Sequence, residues 1–387
     1  MAKRCKTCGK YNCQEHEFFL GKTKLIKEFS GSSPPEIFVG RWNYPNVYVG
    51  VLSPDEYGNT QILSSSELWH QNKIPLSQII EFRNKLIYGR TQSHIKKLKT
   101  KFFDIFKEIA MTHKSIATEF KLKKPIKKYS EHDTRVPLIS RAAPIEKIRL
   151  QENPKIKRKV DYLINDTDVK SIIAIQELEK ANIQTSNIIK LLSAGLLGLK
   201  KNRSLVPTRW SITAVDDTIS KDKLKKIKQY PEISEIQVFH ADYLGNYYNF
   251  ILLPEKYSFE VIEISLKNFG IWSDYESFFP RKKYADSVTG AYYANRLALT
   301  EYLEKIKKQA QCLVIREIRP EYYMPCGVGI LREISREVFK HPPEKFNTIN
   351  EALAKIQTRL KQPIINYTSR SWLLKNFGKQ TKLSLFT

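Results

Sequence analysis

Glu235-Ile236-Gln237-Val238-Phe239-His240-Ala241-Asp242-Tyr243-Leu244-Gly245-Asn246 reads as a strand running into a turn. Glu235, Gln237 and Phe239 alternate with Ile236, Val238 and His240, the period of two that a half-buried strand imposes. Asp242 to Asn246 then carries the residues of a hairpin turn. Tyr248 to Leu253 supplies the returning strand, and Phe259 to Leu266 another. Further on the spacing changes. Gly290 to Lys308 is a helix rich in Tyr and Leu, Leu313 to Ile318 a short strand, and Ile349 to Leu360 an amphipathic helix. Strands and helices mixed in this way predict an α+β fold.

Upstream, Ile37-Phe38-Val39 leads into Gly40-Arg41, and Val47, Val49 and Val51 alternate after Pro45, so 36–52 reads as strand and turn. From Pro75 the pattern turns helical, with Ile79, Ile80, Phe82, Leu86 and Ile87. Phe102, Phe103, Ile105, Phe106 and Ile109 form a second helical series, opposite Lys96, Lys97, Lys99 and Lys101. Lys121 to Lys128 packs five lysines around Pro125, a loop or linker that could touch phosphate or simply be a solvated turn. These breaks divide the chain into a cysteine-rich knuckle (1–20), an N-terminal α+β domain (21–150), a C-terminal α+β domain (151–362) and a flexible tail (363–387).

Within the second domain, 168–213 has the outline of a helix-turn-helix. Asp168 can cap a helix carrying Ile172, Ile175 and Leu178, and Ser186 can cap another carrying Ile188, Ile189, Leu192 and Leu196. Lys200-Lys201-Asn202-Arg203 would form a basic wing. The plainer alternative is two packed helices and a loop.

The 387 residues carry 65 Lys and Arg against 40 Asp and Glu, a net charge of +25. Such an excess attracts polyanions, and DNA is the partner it favours. A lysine-rich surface of the kind heat-loving organisms use, or a membrane surface, would be the alternatives. No signal peptide is visible, and the most apolar run, Ile188 to Leu199, is too short to span a bilayer. A cytoplasmic protein without membrane attachment is expected. Five cysteines, three of them in the first thirteen residues, argue against a secreted disulfide framework.

Cys5, Cys8, Cys13 and His16 are spaced C-x2-C, four residues, C-x2-H. Two close pairs of soft ligands suit a structural, tetrahedral Zn2+, with an iron–sulfur cluster as the alternative and His16 the least certain ligand. At the other end, Gln380-Thr381-Lys382-Leu383-Ser384-Leu385-Phe386-Thr387 has the spacing of a sliding-clamp peptide. One tight helical turn would put Leu383 and Phe386 on one side, with the Gln380 amide beside them. Thr387 stands where such peptides carry a second aromatic, which weakens the plug.

With both ends read, further stretches carry a likeness. On Val39-Gly40-Arg41, Tyr44-Pro45, Ser140-Arg141-Ala142-Ala143-Pro144, Leu191 to Leu199, Pro207 to Thr213, Gly290 to Ala294, Pro320 to Tyr323 and Gly327-Val328-Gly329, the chain resembles the archaeal Nre family of DNA repair proteins. The resemblance covers nearly the whole chain. It implies a role in DNA damage repair and contact with the clamp PCNA, and the knuckle and tail motif belong to the same pattern. It implies no nameable reaction.

No catalytic signature stands out. Asp216-Asp217 and Asp274-Tyr275-Glu276 could hold Mg2+ if a third carboxylate joined them, and are otherwise turns or caps. His240 and Asp242 sit near a strand end. Arg41, Arg141, Arg209 and Arg296 lie in Gly-, Pro- or aromatic-rich stretches, where a guanidinium can fork onto phosphate or pair with a buried carboxylate. With Lys200, Lys201 and Arg203 they form the candidate DNA contacts. Tyr292 and Tyr293 could stack on bases but fit a helix core better. The expected protein binds DNA and is recruited by PCNA through Gln380, Leu383 and Phe386. The alternatives are a clamp-anchored enzyme acting on DNA or nucleotides, such as a metal-dependent nuclease, and a non-catalytic adaptor.

Overall fold

Valines 47, 49 and 51 are all buried, while Tyr48 between the first two is exposed on the outer side of the strand. The computed structural model describes residues 26–125 and 141–378. The chain divides into one unit of residues 1–219 with 323–327 and another of 220–322 with 328–387.

The first unit holds β1 (Glu28–Ser33), β2 (Glu36–Val39), β3 (Asn46–Ser53), β4 (Ile87–His94), β5 (Ile116–Leu122) and β6 (Arg141–Leu150), in the order β1-β5-β6-β4-β3-β2. β6 serves two neighbours. Arg141–Pro144 pairs parallel with β4, and Ile145–Leu150 antiparallel with β5. Its helices are α1 (Ser66–Gln71), α2 (Leu76–Lys85), α3 (Lys101–Met111), α4 (Arg158–Asn165), α5 (Ser171–Lys180), α6 (Thr185–Ser193) and the first part of α7 (Thr208–Ile227). Phe103, Phe106 and Ile109 turn the buried stripe of α3 inward.

The helical series beginning at Ile79 stops at Lys85, and Ile87 already belongs to β4. Arg141 to Pro144 form the first residues of β6. The division between the two compact units falls inside α7, between Ile219 and Ser220.

The second unit holds β7 (Ile236–Tyr243), β8 (Asn246–Leu253), β9 (Ser258–Ser265), β10 (Ile271–Glu276), β11 (Gln311–Ile318) and β12 (Glu344–Phe346), in the order β10-β9-β11-β8-β7-β12. Only β11 against β9 is parallel. Leu244 and Gly245 both have positive φ, 52° and 74°, the two-residue turn that matches strand twist. A side chain at Gly245 would meet the Tyr322 amide.

Helices cover both faces of this sheet. On one side lie α8 (Gly290–Ile306) and α9 (Val328–Val338), where Phe239 meets Tyr302 and Phe339. On the other lie α10 (Ile349–Gln357), α11 (Ile365–Thr368) and α12 (Trp372–Asn376) over Ile251, Ile262 and Leu313. The segment from 363, expected to be a loose tail, is therefore packed as far as Phe377. Tyr367 and Leu373 are fully buried. Glu260 of β9 accepts from the Ser371 hydroxyl and from the Trp372 and Leu373 amides, at 2.8 and 3.0 Å for the amides. Helices of four and five residues are too short to show a period in sequence.

The molecule is thus α+β, with two mixed sheets and twelve α-helices among the described residues. Cys5, Cys8, Cys13, His16, Gln380, Leu383 and Phe386 lie outside the described residues. Among those described, no group of three or more His, Cys, Asp or Glu could hold a metal ion, and no helix is long and apolar enough to cross a membrane.

Candidate nucleic-acid interface

The β2–β3 connection presents aromatic rings to solvent. Gly40 N donates to Tyr48 O at 2.7 Å, and Asn46 N to Asn43 O at 2.7 Å, closing the loop. Because Val47 and Val49 point inward, Tyr48 points out and is 37% exposed. In the loop itself Trp42 is 73% exposed and Tyr44 49%. The Arg41 guanidinium lies over the Trp42 ring at 4.8 Å, and that of Arg90, from β4, over Tyr48 at 4.1 Å. Such cation–π contacts are worth about 0.5–1 kcal/mol each at exposed sites. They hold the arginines beside open ring faces.

A distant segment completes the surface. Val39 N donates to Thr208 Oγ1 at 2.9 Å, and Thr208 Oγ1 lies 3.1 Å from Ser193 Oγ, pinning the start of α7 to the end of β2. The next turn carries exposed Arg209 and Trp210. The Trp210 ring is 45% exposed and sits 5.1 Å from Tyr44. Ile95 N donates to Pro45 O and Leu205 N to Ile95 O, at 3.0 and 2.9 Å. Those bonds align the loop, the lysine-rich segment after β4 and the segment before α7. Lys96, Lys97, Lys99, Lys200 and Lys201 are all exposed. A contiguous surface of open aromatics and cations suits stacking and phosphate contact together.

Other candidates have different roles. Arg203 directs Nε and both terminal nitrogens to the carbonyls of Gly198, Ile164 and Asp166 at 2.8, 2.8 and 2.9 Å, and burial lowers its pKa. It is bound to its own backbone. Arg296 is buried on α8 and pairs with Glu276 at 2.8 Å, while Tyr257 Oη donates to Glu276 at 2.6 Å. This is the buried-carboxylate arrangement, not a surface contact. Arg141 opens β6 by its backbone. Arg41, Arg209, Lys200 and Lys201 remain on the surface.

The helix pair α5–α6 forms, but from different caps. Lys170 and Gln184 precede the two helices instead of Asp168 and Ser186. No residue of α6 is exposed. Even Lys190 turns inward to Pro35 O at 2.9 Å, its pKa lowered by burial. A groove-reading helix needs an exposed face, and α6 has none. In place of a basic wing, Lys200–Asn202 is a single 3-10 turn.

The carboxylate pairs are also engaged. Asp274 accepts from the Ser287 and Val288 amides at 3.1 and 2.7 Å and pairs with Arg281 at 3.0 Å. Asp216 is buried within α7. His240 is exposed at the outer part of β7, its pKa lowered by partial burial and then by Arg359. Tyr292 and Tyr293 are core residues of α8.

Trp42, Tyr48, Arg90 and Trp210 were not singled out by sequence reasoning as site residues. The usable signal was Arg41-Trp42-Asn43-Tyr44 itself, two bulky rings in a predicted turn with no strand period to bury them.

The family described as "Archaeal Nre, N-terminal" matches residues 5–273, and "Archaeal Nre, C-terminal" matches 276–386. The chain belongs to the archaeal Nre family. It is 33% identical over 384 residues to the DNA repair protein NreB of Archaeoglobus fulgidus, covering 97% of this chain and 96% of the relative. It is 33% identical to the NreA of the same organism, covering 92% and 91%, and 29% identical to the NreA of Haloferax volcanii, covering 91% and 87%. No solved structure matches. The division between the two Nre segments falls in β10, well beyond the boundary between the two units at Ile219 and Ser220.

Proposed function

We propose that this Nre protein acts in DNA repair, binds DNA through the surface formed by Arg41, Trp42, Tyr44, Tyr48, Arg90 and Trp210, and is recruited to the sliding clamp PCNA by Gln380, Leu383 and Phe386. The carrying observation is the set of exposed rings, two of them capped by arginines, on one basic surface. Three relatives bearing the name DNA repair protein support the role, and the net charge of +25 supports a polyanionic partner. The clamp assignment rests on the spacing of the C-terminal peptide and its flanking Lys379 and Lys382. The donor set of three thiolates and an imidazole at Cys5, Cys8, Cys13 and His16 suits a structural Zn2+ that would staple the N-terminal segment. Reduced cysteines of this kind fit the cytoplasm.

Two titrations test the reading. Full chain against labelled DNA at several salt concentrations should show affinity falling linearly on a log–log plot, with a shallower slope for Arg41→Ala. Full chain against purified PCNA should bind in the micromolar range, roughly −8 kcal/mol, and a chain cut after Lys379 should not. Salt-independent or absent DNA binding would remove the first assignment. Equal clamp binding by both chains would remove the second.

A further inference from the structure

We infer that the β2–β3 surface takes the unpaired bases of single-stranded DNA rather than the grooves of an intact duplex, an inference that rests on the DNA-binding reading above. Trp42 and Tyr48 offer ring faces, and Tyr44 with Trp210 forms a tilted pair whose outer edges are open. A ring face gains most from another flat π-face. In a duplex those faces are stacked inside the helix, and only base edges and phosphates are reachable from the grooves. Four exposed aromatics would have little to do there.

The cations agree with this. The Arg41 and Arg90 guanidinium groups lie over the Trp42 and Tyr48 rings, at 4.8 and 4.1 Å. They are placed to extend a stack and to reach the phosphate of the same nucleotide. The exposed Lys96, Lys97, Lys200 and Lys201 continue the positive surface along which a flexible backbone could run. The one helix pair expected to read a groove has no exposed residue on its second helix.

Exposed tryptophans also provide the measurement. Of the five tryptophans, Trp42 and Trp210 are exposed and lie on this surface, whereas Trp69 is buried, Trp272 is half-buried on β10 and Trp372 is stacked on Tyr275. The full chain is titrated with a mixed-sequence single strand of about 20 nucleotides and with the matching duplex, following fluorescence anisotropy of the DNA and intrinsic tryptophan emission. The single strand should bind about tenfold or more tightly and quench emission, and Trp42→Ala should weaken single-strand binding about five- to a hundredfold. Trp42→Phe should restore much of the affinity. Trp42 is too exposed for either change to unfold the chain.

Duplex binding equal to or tighter than single-strand binding would overturn the inference and leave the DNA-binding reading standing. A single-strand preference untouched by Trp42→Ala and by Trp210→Ala would also overturn it, because the bases would then lie elsewhere. Binding to neither form would remove the DNA-binding reading itself.

Discussion

The amide of Val39 donates to the hydroxyl of Thr208 at 2.9 Å, across a separation of 169 residues. That bond brings the aromatic loop of one segment and the first turn of α7 into one surface. Thr208→Val keeps the shape and removes the acceptor. It also removes the contact with Ser193 at 3.1 Å. The expected cost is about 1–2 kcal/mol in urea unfolding, the usual penalty for leaving a part-buried amide unpaired. DNA affinity should fall with it, since Trp210 would no longer be held against Tyr44. Unchanged affinity in a destabilised variant would show that the loop alone makes the surface.

Arg296 tests the division between surface and core arginines. Arg296→Met leaves the Glu276 carboxylate buried without its cation. Removing one partner of a buried pair costs about 3–5 kcal/mol. Arg41→Met should cost under about 1 kcal/mol, because its guanidinium is exposed. Comparing the two by denaturant melts and by DNA titration of the folded fraction separates the roles: Arg296→Met should lose stability and keep affinity, Arg41→Met the reverse. An Arg296→Met chain that melts like the parent but releases DNA would put Arg296 in the interface.

Glu304 gives a pH signature. Burial by itself would raise its carboxyl pKa, but hydrogen bonds from Lys223 and Lys226, both at 2.8 Å, outweigh that and hold it below the ordinary value of 4.5. A depressed folded pKa means the unfolded chain binds the proton more readily. The contribution is present above about pH 4.5 and lost as pH falls through the folded pKa. Glu304→Gln should therefore lower stability at neutral pH by about 1 kcal/mol or less, given the partial exposure of the pair. The difference between parent and variant should vanish in acid. A difference constant from pH 7 to pH 3 would mean the lysines do not set it.

Metal content checks the N-terminal assignment. Elemental analysis of purified chain should find about one zinc per molecule, released by chelator and missing from Cys8→Ser. The far-ultraviolet circular dichroism of that variant should change little, because both sheets form without those residues. Iron with a visible charge-transfer band would instead identify a cluster.

The legible parts of the fold were those with a long, undisturbed period. Ile236 to Leu253 is two apolar runs around a clear turn signal, and the hairpin was read to within a residue or two. Gly290 to Ile306 is buried nearly all round, so its apolar density gave it away. β4 was hidden because Ile87 follows α2 after one residue and extends the helical pattern. β6 was hidden by Ala142-Ala143-Pro144, residues with little strand preference that are held there by parallel pairing with β4. For the site, residue type does not encode exposure. Trp69 is 3% exposed and Trp42 73%, yet both sit among polar neighbours in sequence. Arg41 and Arg296 looked alike for the same reason. Tertiary pairing with Glu276 buried one, and a hairpin turn exposed the other.

The grip of Glu260 on Ser371, Trp372 and Leu373 sets a leash length. The described chain continues to Gly378, and Gln380 follows only two residues later in the sequence. A tail beginning at Pro363 would have let the protein swing through a wide volume around its docking point. With so few residues between, a ring that captured Gln380 would sit near the second unit. The second unit would then ride close beside that ring rather than trail behind it.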